Sequence, residues 1–170
     1  MNAWVGLGGN RDDTGMLLRA TLSLLDAGNG VSVSRSSRLY LSPPWGVADQ
    51  PDFINAVAEL DTELEPEGLL GFLLRIEKQL GRERNGQRWG PRCIDLDLLT
   101  YEDRILKSEL LELPHPRMHK RAFVLVPILE LEPDFVIPGL GNARQCLTGL
   151  SRREVESVVP LTESTQEVYT

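Results

Sequence analysis

Two carboxylates in a short alternating stretch, Asp95 and Asp97, are the residues of this sequence best suited to chemistry. They alternate with Ile94, Leu96 and Leu98. In an extended strand this alternation predicts that the acids share one face and the apolar side chains share the other. Carboxylates two residues apart lie roughly 6–7 Å apart along a strand that rises about 3.3 Å per residue. That spacing suits a pair of hard cations, which prefer oxygen ligands and lie about 3.5–4 Å apart in two-metal sites.

A basic segment comes directly before these acids, although the chain as a whole has a net charge of −7. It carries four arginines, which are Arg82, Arg84, Arg88 and Arg92. Its glycines and proline predict a loop, and Trp89 lies on that loop without the periodicity of a helix or strand. Taken singly, the acids and the arginines are each typical of a solvated surface. Together they favour binding of a metal-bound polyphosphate, with cations beside the acids and guanidinium groups on the outer oxygens.

The composition is that of an ordinary globular protein. A length of 170 residues predicts one domain, which we place at residues 1–161 with a frayed tail at 162–170. The acidic balance, without a basic helical face, argues against nucleic-acid binding. No apolar run approaches 18 residues and no signal peptide is recognisable, which predicts a cytoplasmic protein that does not bind a membrane. Cys93 and Cys146 are too few for a disulfide framework or a zinc site.

The elements that must position the acids follow the order strand, helix, strand, strand, helix, strand. We predict strands over Ala3–Gly8, Val31–Leu41, Phe53–Asp61 and the acidic stretch, with helices over 13–27 and from Pro66 to Gly81. This order predicts an α+β, ferredoxin-like βαββαβ fold, an antiparallel sheet with helices on one face. The C-terminal region is predicted to add a hairpin from Arg104–Leu106 and Leu110–Glu112, a helix or broken helix over Ala122–Leu131, an edge strand at Phe135–Ile137 and a short helix over Arg144–Leu150.

The glycines of the GLGGNR segment near the start resemble a phosphate-binding loop only superficially. The third glycine of the dinucleotide fingerprint is missing, and no glycine-lysine-serine or -threonine sequence follows. We therefore predict that these glycines serve a tight turn after the first strand.

The sheet face away from the helices is predicted to carry a place for a flat ring beside the acids. Phe53 and Asn55 share that face with Asp95 and Asp97, and the SPPWGVADQP loop adjoins them. An aromatic platform and an amide with both a donor and an acceptor suit a flat, polar heterocycle. From spacing alone, the alternative that Phe53 is core and Asn55 caps a bulge is equally favoured.

Three longer segments carry a resemblance to a known family. SPPWGVADQPDFINAV, GRERNGQRWGPRCIDLDLLTY and LPHPRMHKRAFVLVPILELEPDF, with LGGN near the start, resemble the signature blocks of 6-hydroxymethyl-7,8-dihydropterin pyrophosphokinase, a folate-pathway enzyme. The resemblance covers about residues 5–135 and implies a ferredoxin-like fold. It implies transfer of diphosphate from ATP to the hydroxymethyl oxygen of the pterin, with release of AMP. Two Mg²⁺ ions, ATP and the pterin are the implied cofactor and partners, and a monomer is expected.

The resemblance also implies roles for individual residues. Asp95 and Asp97 would bind the two Mg²⁺ ions, and Arg82 and Arg92 would neutralise the transferring group. ATP would contact Leu74, Glu77, Arg84, Arg88, Trp89, Arg92, Leu98, His115, Pro116 and Arg121. The pterin would contact Ser42, Pro43, Trp45, Phe53, Asn55, Trp89, Asp95 and Phe123, with its ring stacked between the two phenylalanines. His119 is expected to face solvent.

Two other functions stay open on the residues alone. A magnesium-dependent nucleotide phosphohydrolase would use the same acids with water as the nucleophile, but it would give Phe53, Asn55 and Phe123 no task. A non-catalytic, ferredoxin-like ligand sensor would not need the acids and arginines together.

Overall fold

The protein is described by a computed structural model, which covers residues 1–11, 13–44, 49–81 and 94–162. In chain order its elements are β1 (Asn2–Gly9), α1 (Thr14–Asp26), β2 (Val31–Ser36), β3 (Tyr40–Ser42), β4 (Phe53–Thr62), α2 (Pro66–Gln79), β5 (Asp95–Tyr101), β6 (Leu106–Lys107), β7 (Glu112–Leu113), a 3₁₀ turn (Met118–Lys120), α3 (Ala122–Leu131), β8 (Val136–Ile137), β9 (Gly141–Asn142), α4 (Ala143–Thr148), α5 (Arg152–Glu156) and β10 (Val159–Pro160). In this described part of the chain, no helix is both long enough and apolar enough to cross a membrane.

A six-stranded antiparallel sheet forms the centre, with β1 between β4 and β5. On the far side of β4, β2 pairs with the second half of that strand and β3 with the first half, and β10 pairs with β3. The single strand predicted at Val31–Leu41 is therefore interrupted. At the break, Ser37 donates its N–H to Val57 O at 2.9 Å and accepts the Val57 N–H on its hydroxyl at 3.0 Å. The Ser37 hydroxyl thus takes the place of a backbone acceptor for the Val57 N–H, because a buried N–H needs a partner.

The helices α1 and α2 cover one face of the sheet, as the apolar stripes predict. Leu18 and Leu25 of α1, and Leu69, Leu73 and Ile76 of α2, are buried in one cluster with the apolar side of β5. Pro66 stands at the first turn of α2, where its fixed φ favours helix initiation. Gly81 follows the helix with φ of +84°, a conformation that glycine adopts without a Cβ clash. The α+β, ferredoxin-like prediction is confirmed.

The opposite face of the sheet is partly covered by the C-terminal helices, an arrangement that the sequence did not predict. Trp4, Val57 and Leu99 of the sheet form a second buried cluster with Leu125 and Ile128 of α3. The α3 helix runs without a break through Pro127. This cover is incomplete, and the part of the face that it leaves open holds the acid pair.

The small C-terminal elements differ from prediction mainly in their partners. The predicted hairpin is present as β6 and β7, with Leu106 opposite Leu113. The strand predicted at Phe135–Ile137 is present as β8, but its predicted place at the edge of the main sheet is wrong: β8 pairs with β9 in a separate hairpin, and β10 joins the main sheet. The short helix predicted at Arg144–Leu150 is present as α4, and α5 was missed. The division into a domain at 1–161 and a tail at 162–170 stays a prediction, since residues 163–170 lie outside the described part.

Candidate active site

The strand register brings the predicted acids and the predicted ring-binding amide onto one strip of the sheet. Because β1 lies between β4 and β5, Gly8 is opposite Asn55 on one side and Asp95 on the other. Two residues earlier in β1, Gly6 is opposite Val57 and Asp97. Cross-strand neighbours share a face, so Asn55 and both carboxylates point to the same side of the sheet, away from α1 and α2. The alternation seen in the sequence therefore places the acids as predicted.

A cavity of about 730 Å³, including its open side, lies over this strip. Its described lining is formed by Gly6, Leu7, Gly8, Ser42, Pro43, Phe53, Asn55, Ala56, Asp95, Asp97, Leu99, Arg121, Phe123 and Val124. Phe53 comes from β4 and Phe123 from α3, so aromatic rings contribute to the lining from two separate elements. We refer to this space as the ring cavity. It has the mixed character of small-molecule sites, which are mostly apolar with a few fixed polar groups.

Asn55 is held in a fixed orientation in the ring cavity. It is 6% exposed, and its Nδ2 donates a hydrogen bond of 2.6 Å to Ser42 Oγ. Ser42 lies opposite Phe53 in the β3–β4 pairing, two residue pairs along the strands from the pair of Tyr40 and Asn55, so it shares their face of the sheet. The geometry rejects the alternative in which Phe53 belongs to the core, because Phe53 is only half-buried and lines the cavity.

Arg121 connects the acidic end of the ring cavity with its aromatic end. Its Nη1 lies 3.8 Å from Asp97 Oδ2, and its guanidinium carbon is 5.5 Å from the centroid of the Phe123 ring. Arg121 is only 8% exposed. A guanidinium over an aromatic face gains a cation–π interaction, which is stronger when the group is desolvated. A fixed positive charge therefore stands beside the acids.

A second cavity of about 710 Å³, including its open side, adjoins Asp97. Its described lining is formed by Leu70, Leu96, Asp97, Leu98, Ser108, Glu109, Leu110, Leu111, Glu112, His115 and Pro116. We call it the nucleotide cavity, because Leu98, His115 and Pro116, which the resemblance implies contact ATP, line it. Asp97 lines both cavities. A molecule in one cavity and a molecule in the other would thus meet at this carboxylate.

His115 enters the nucleotide cavity as a neutral imidazole. Burial, with Arg121 and Arg117 nearby, lowers its pKa to about 4, although Asp95 acts in the opposite direction. Its Nδ1 accepts the Arg117 N–H at 3.1 Å. A neutral imidazole that accepts at Nδ1 carries its proton on Nε2, so His115 can donate a hydrogen bond from that atom.

The lowered pKa of His115 predicts a pH dependence of stability. Between about pH 6.5 and pH 4 the unfolded chain protonates this histidine while the folded protein does not, so the free energy of unfolding falls on acidification. The difference in pKa corresponds to roughly 3 kcal/mol at most. His115→Asn keeps an acceptor for the Arg117 N–H and does not titrate, so it should show a shallower loss over this range. Urea unfolding at stepped pH values measures both proteins, and equal slopes would contradict the prediction.

Glu77 lies behind the acid pair. It is 2% exposed, and its Oε1 accepts the N–H of Leu96, the residue between the two acids, at 2.8 Å. The resemblance implied a contact between Glu77 and ATP. The structure brings its carboxylate to the backbone of β5, where it fixes the strand that carries the acids, and the contact with ATP stays a prediction.

Most of the other predicted site residues fall around one cavity or the other. Pro43 lines the ring cavity, and Leu98 and Pro116 line the nucleotide cavity. Leu74 is 37% exposed on α2 and is not among the described residues that line these two cavities. The predictions for Trp45, Arg82, Arg84, Arg88, Trp89 and Arg92 lie outside the described residues. His119, which was expected to face solvent, is half-buried.

Sequence reasoning missed two features of this region. Asn10 is 3% exposed and donates to Gln50 Oε1 at 2.8 Å and to Pro51 O at 3.3 Å, which fixes the chain just before β4. Gly6 and Gly8 line the ring cavity, whereas the glycines of this segment were assigned only to a turn. Two glycines spaced at the strand period were the available signal for the second feature.

The donor set fits Mg²⁺. The acid pair offers two carboxylates on one face, and the described part of the chain contains no cluster of three or more His, Cys, Asp or Glu residues placed to hold a metal. Mg²⁺ is commonly held by one or two carboxylates, with waters and substrate phosphates as its remaining ligands. An acid pair beside open cavities, with Arg121 nearby, satisfies that requirement.

A ferredoxin-like sheet that carries an acid pair beside two open cavities is typical of a small-molecule enzyme with a place for a divalent cation. A family model described as 7,8-dihydro-6-hydroxymethylpterin-pyrophosphokinase matches residues 4–133, and the chain belongs to this family. Enzymes of the family transfer diphosphate from ATP to hydroxymethyldihydropterin in folate synthesis and generally use Mg²⁺. The function implied by the resemblance is therefore confirmed, against the hydrolase and sensor alternatives.

Individual relatives agree with this assignment. A 2-amino-4-hydroxy-6-hydroxymethyldihydropteridine pyrophosphokinase of Methylorubrum extorquens is 46% identical over 156 residues, which cover 92% of this chain and 98% of the relative. One from Haemophilus influenzae is 42% identical over 138 residues, or 81% of this chain and 86% of the relative.

Solved structures show the same fold at low identity. The wild-type HPPK-DHPS of Plasmodium falciparum with pteroate aligns with a TM-score of 0.68 at 14% identity, covering 86% of this chain. The chain spans only 42% of that longer protein.

Proposed function

We propose that this chain carries out the pyrophosphokinase reaction with the pterin in the ring cavity and ATP in the nucleotide cavity. The observation that carries this proposal is that Asp97 lines both cavities. In-line transfer needs the acceptor oxygen and the β-phosphorus in contact, and a shared wall is where two bound substrates can meet.

The pterin would be held by stacking and by hydrogen bonds to one edge. Phe53 and Phe123 lie on different elements that line the ring cavity, and a flat ring between them gains stacking on both faces. Asn55 would read the polar edge of the ring, since its amide is already oriented by Ser42. The backbone around Pro43 adds a second contact on that side. A ring held by its polar edge at Asn55 directs its hydroxymethyl group across β1 toward Asp95.

The acid pair would hold two Mg²⁺ ions with the phosphates of ATP. When bound, these ions supply positive charge to the attacking and leaving oxygens and favour deprotonation of the hydroxymethyl group. Asp95 and Asp97 are suited to this task because both line the ring cavity from one face of β5, a strand that Glu77 holds from behind. The number of ions is part of the proposal.

The nucleotide cavity would bind the base and the leaving phosphate of ATP. Its apolar wall of Leu70, Leu96 and Leu111 suits a base, and His115 can donate from Nε2 to a phosphate oxygen without carrying a charge. Pro116 and Leu98 complete this wall. Arg121 would contact the phosphates from the opposite side of Asp97.

The arginine segment would act on the transferring group. By resemblance, Arg82 and Arg92 neutralise charge on the diphosphate, and Arg84, Arg88 and Trp89 contact ATP. The pterin oxygen forms a bond to the β-phosphorus as the bond from that phosphorus to the α,β-bridging oxygen breaks. AMP leaves and the hydroxyl proton is released, so atoms and charge balance.

AMP release from ATP and Mg²⁺, with and without 6-hydroxymethyl-7,8-dihydropterin, tests the assignment. We expect AMP only when the pterin is present, together with the pterin diphosphate in equal amount. Nucleotide breakdown without pterin would indicate the phosphohydrolase, and no breakdown under either condition would indicate the sensor.

We further propose that the enzyme is a monomer and works in the cytoplasm, where its ATP is available. Sedimentation velocity at micromolar concentration should give a single species near the chain mass of 19.0 kDa.

A further inference from the structure

Two glycines of β1 form the bare part of the ring cavity's floor. In β1, Trp4, Gly6 and Gly8 point to the same face, since side chains alternate along a strand. Trp4 is covered by Phe135, whose ring packs edge-on at 4.9 Å. The next two positions on that face have no side chain, and both glycines line the cavity. The open space therefore begins where the β1 side chains end.

Backbone conformation does not explain these glycines. The glycines of the described chain with positive φ are Gly30, Gly81, Gly139 and Gly141. Gly6 and Gly8 lie in ordinary strand conformation, which any L-residue adopts. The reason for the missing side chains has to be sought in the space above the strand.

Gly8 is required by its neighbour Asn55. A Cβ added at Gly8 would lie 2.7 Å from Asn55 Oδ1, closer than van der Waals contact permits. The amide would have to move, although Ser42 holds it from the other side. Gly8 thus keeps Asn55 in the orientation that the pterin needs.

Gly6 is different, because the protein itself has room for a side chain there. A Cβ at Gly6 would meet only side-chain atoms of Leu99, at 3.6–3.8 Å, which is ordinary van der Waals contact. Alanine would therefore fit the fold, and strands tolerate alanine at least as well as glycine. What a methyl group would remove is cavity volume.

We propose that Gly6 and Gly8 form the floor of the pterin site, and that Gly6 determines how large an acceptor the site admits. This inference rests on the proposed placement of the pterin in the ring cavity. Asn55 and Asp95 are two strands apart, about 9.6 Å at roughly 4.8 Å per strand spacing. A bicyclic ring read at Asn55, with its hydroxymethyl group at the acids, has to cross over Gly8 and lie beside Gly6. The substrate class is then hydroxymethyldihydropterins, including those that carry a small alkyl group on the edge that faces β1.

The test compares Gly6→Ala, Gly8→Ala and a matched control, Gly68→Ala. Gly68 lies on α2, where an added Cβ meets nothing closer than Leu64 Cβ at 3.9 Å, so this variant should leave both Michaelis constants unchanged. The acceptors are 6-hydroxymethyl-7,8-dihydropterin and a series of the same compound methylated in turn at each free ring position. Steady-state kinetics gives kcat and KM for each acceptor and for ATP, and thermal unfolding checks the fold.

Gly6→Ala should leave the KM for the parent pterin within about threefold of the wild-type value and raise the KM for one methylated pterin by about 100-fold, because an added methyl group in a packed pocket changes binding by roughly 10–200-fold. Its KM for ATP and its melting temperature should stay at wild-type values. Gly8→Ala should raise the KM for every acceptor by the same factor, because it displaces Asn55 and leaves the space beside Gly6 unchanged.

The wild-type enzyme provides a second measurement that needs no variant. It should accept one of the methylated pterins with a KM within about threefold of the parent, because Gly6 leaves space for the methyl group. Without that space, the methyl group would raise the KM by roughly 10–200-fold. Rejection of every methylated pterin by the wild type, or an unchanged acceptor profile in folded Gly6→Ala, would overturn the inference. Failure of the proposed function would look different, since wild-type enzyme would then form no AMP with the parent pterin.

Discussion

Asp97→Ala is expected to abolish diphosphate transfer while the protein stays folded. Asp97 is the side chain common to both cavities, and its carboxylate lies 3.8 Å from Arg121. Its removal takes away a ligand for the proposed Mg²⁺ and the carboxylate that lies beside Arg121 at the point of transfer. We expect the rate of AMP formation to fall by at least about 10³-fold, the upper range for loss of one preorganised electrostatic group.

The stability of this variant should change little, because the Asp97 side chain is 39% exposed. Asp61→Ala is a matched control, since Asp61 is also a strand carboxylate but is 71% exposed and far along β4 from the acid pair. It should lose at most about 1 kcal/mol of stability from its surface pair with the N-terminus, and no activity. Near-normal turnover of Asp97→Ala at saturating Mg²⁺ would rule out the proposed role.

Asn55→Ala should have the second-largest effect, and on a different substrate. The variant removes the amide that reads the pterin edge and leaves Ser42 Oγ without its 2.6 Å donor in a buried place. A site built to hydrogen-bond its ligand loses much of its affinity for that ligand when one hydrogen-bonding partner is missing. The kcat/KM for the pterin should therefore fall by at least about 100-fold. The KM for ATP should not change, because Asn55 lines only the ring cavity of the two.

Ser42→Ala separates orientation from contact. It keeps the Asn55 amide but removes the hydroxyl that holds it, so we expect a loss of about tenfold, which corresponds to one ordinary hydrogen bond. Isothermal titration with the pterin, with and without a non-hydrolysable ATP analogue, measures both variants. If Asn55→Ala bound the pterin normally but ATP weakly, the assignment of the pterin to the ring cavity would be wrong.

The sequence alone determined the features that depend on local pattern. The alternation around Asp95 and Asp97 fixed which face of the strand carries the acids, because side chains alternate with a period of two in any extended strand. The stripes of Leu69, Leu73 and Ile76 likewise fixed the buried face of α2. The arginine segment and the flanking signature blocks identified the family, since their residue types follow from phosphate and ring binding and do not depend on knowing the strand order.

Only the tertiary structure decided which distant residues meet. Asn55, Gly8 and Asp95 lie on three strands, and their alignment results from pairings chosen by the burial of the whole sheet. The packing of α3 on the second face brings Arg121 and Phe123 to the acids, and it depends on clusters such as Trp4 with Leu125 that no short window contains. The pKa of His115 and the inward turn of Glu77 follow from desolvation and from a backbone donor on another element. Such properties are sums over neighbours in space, so a local pattern cannot contain them.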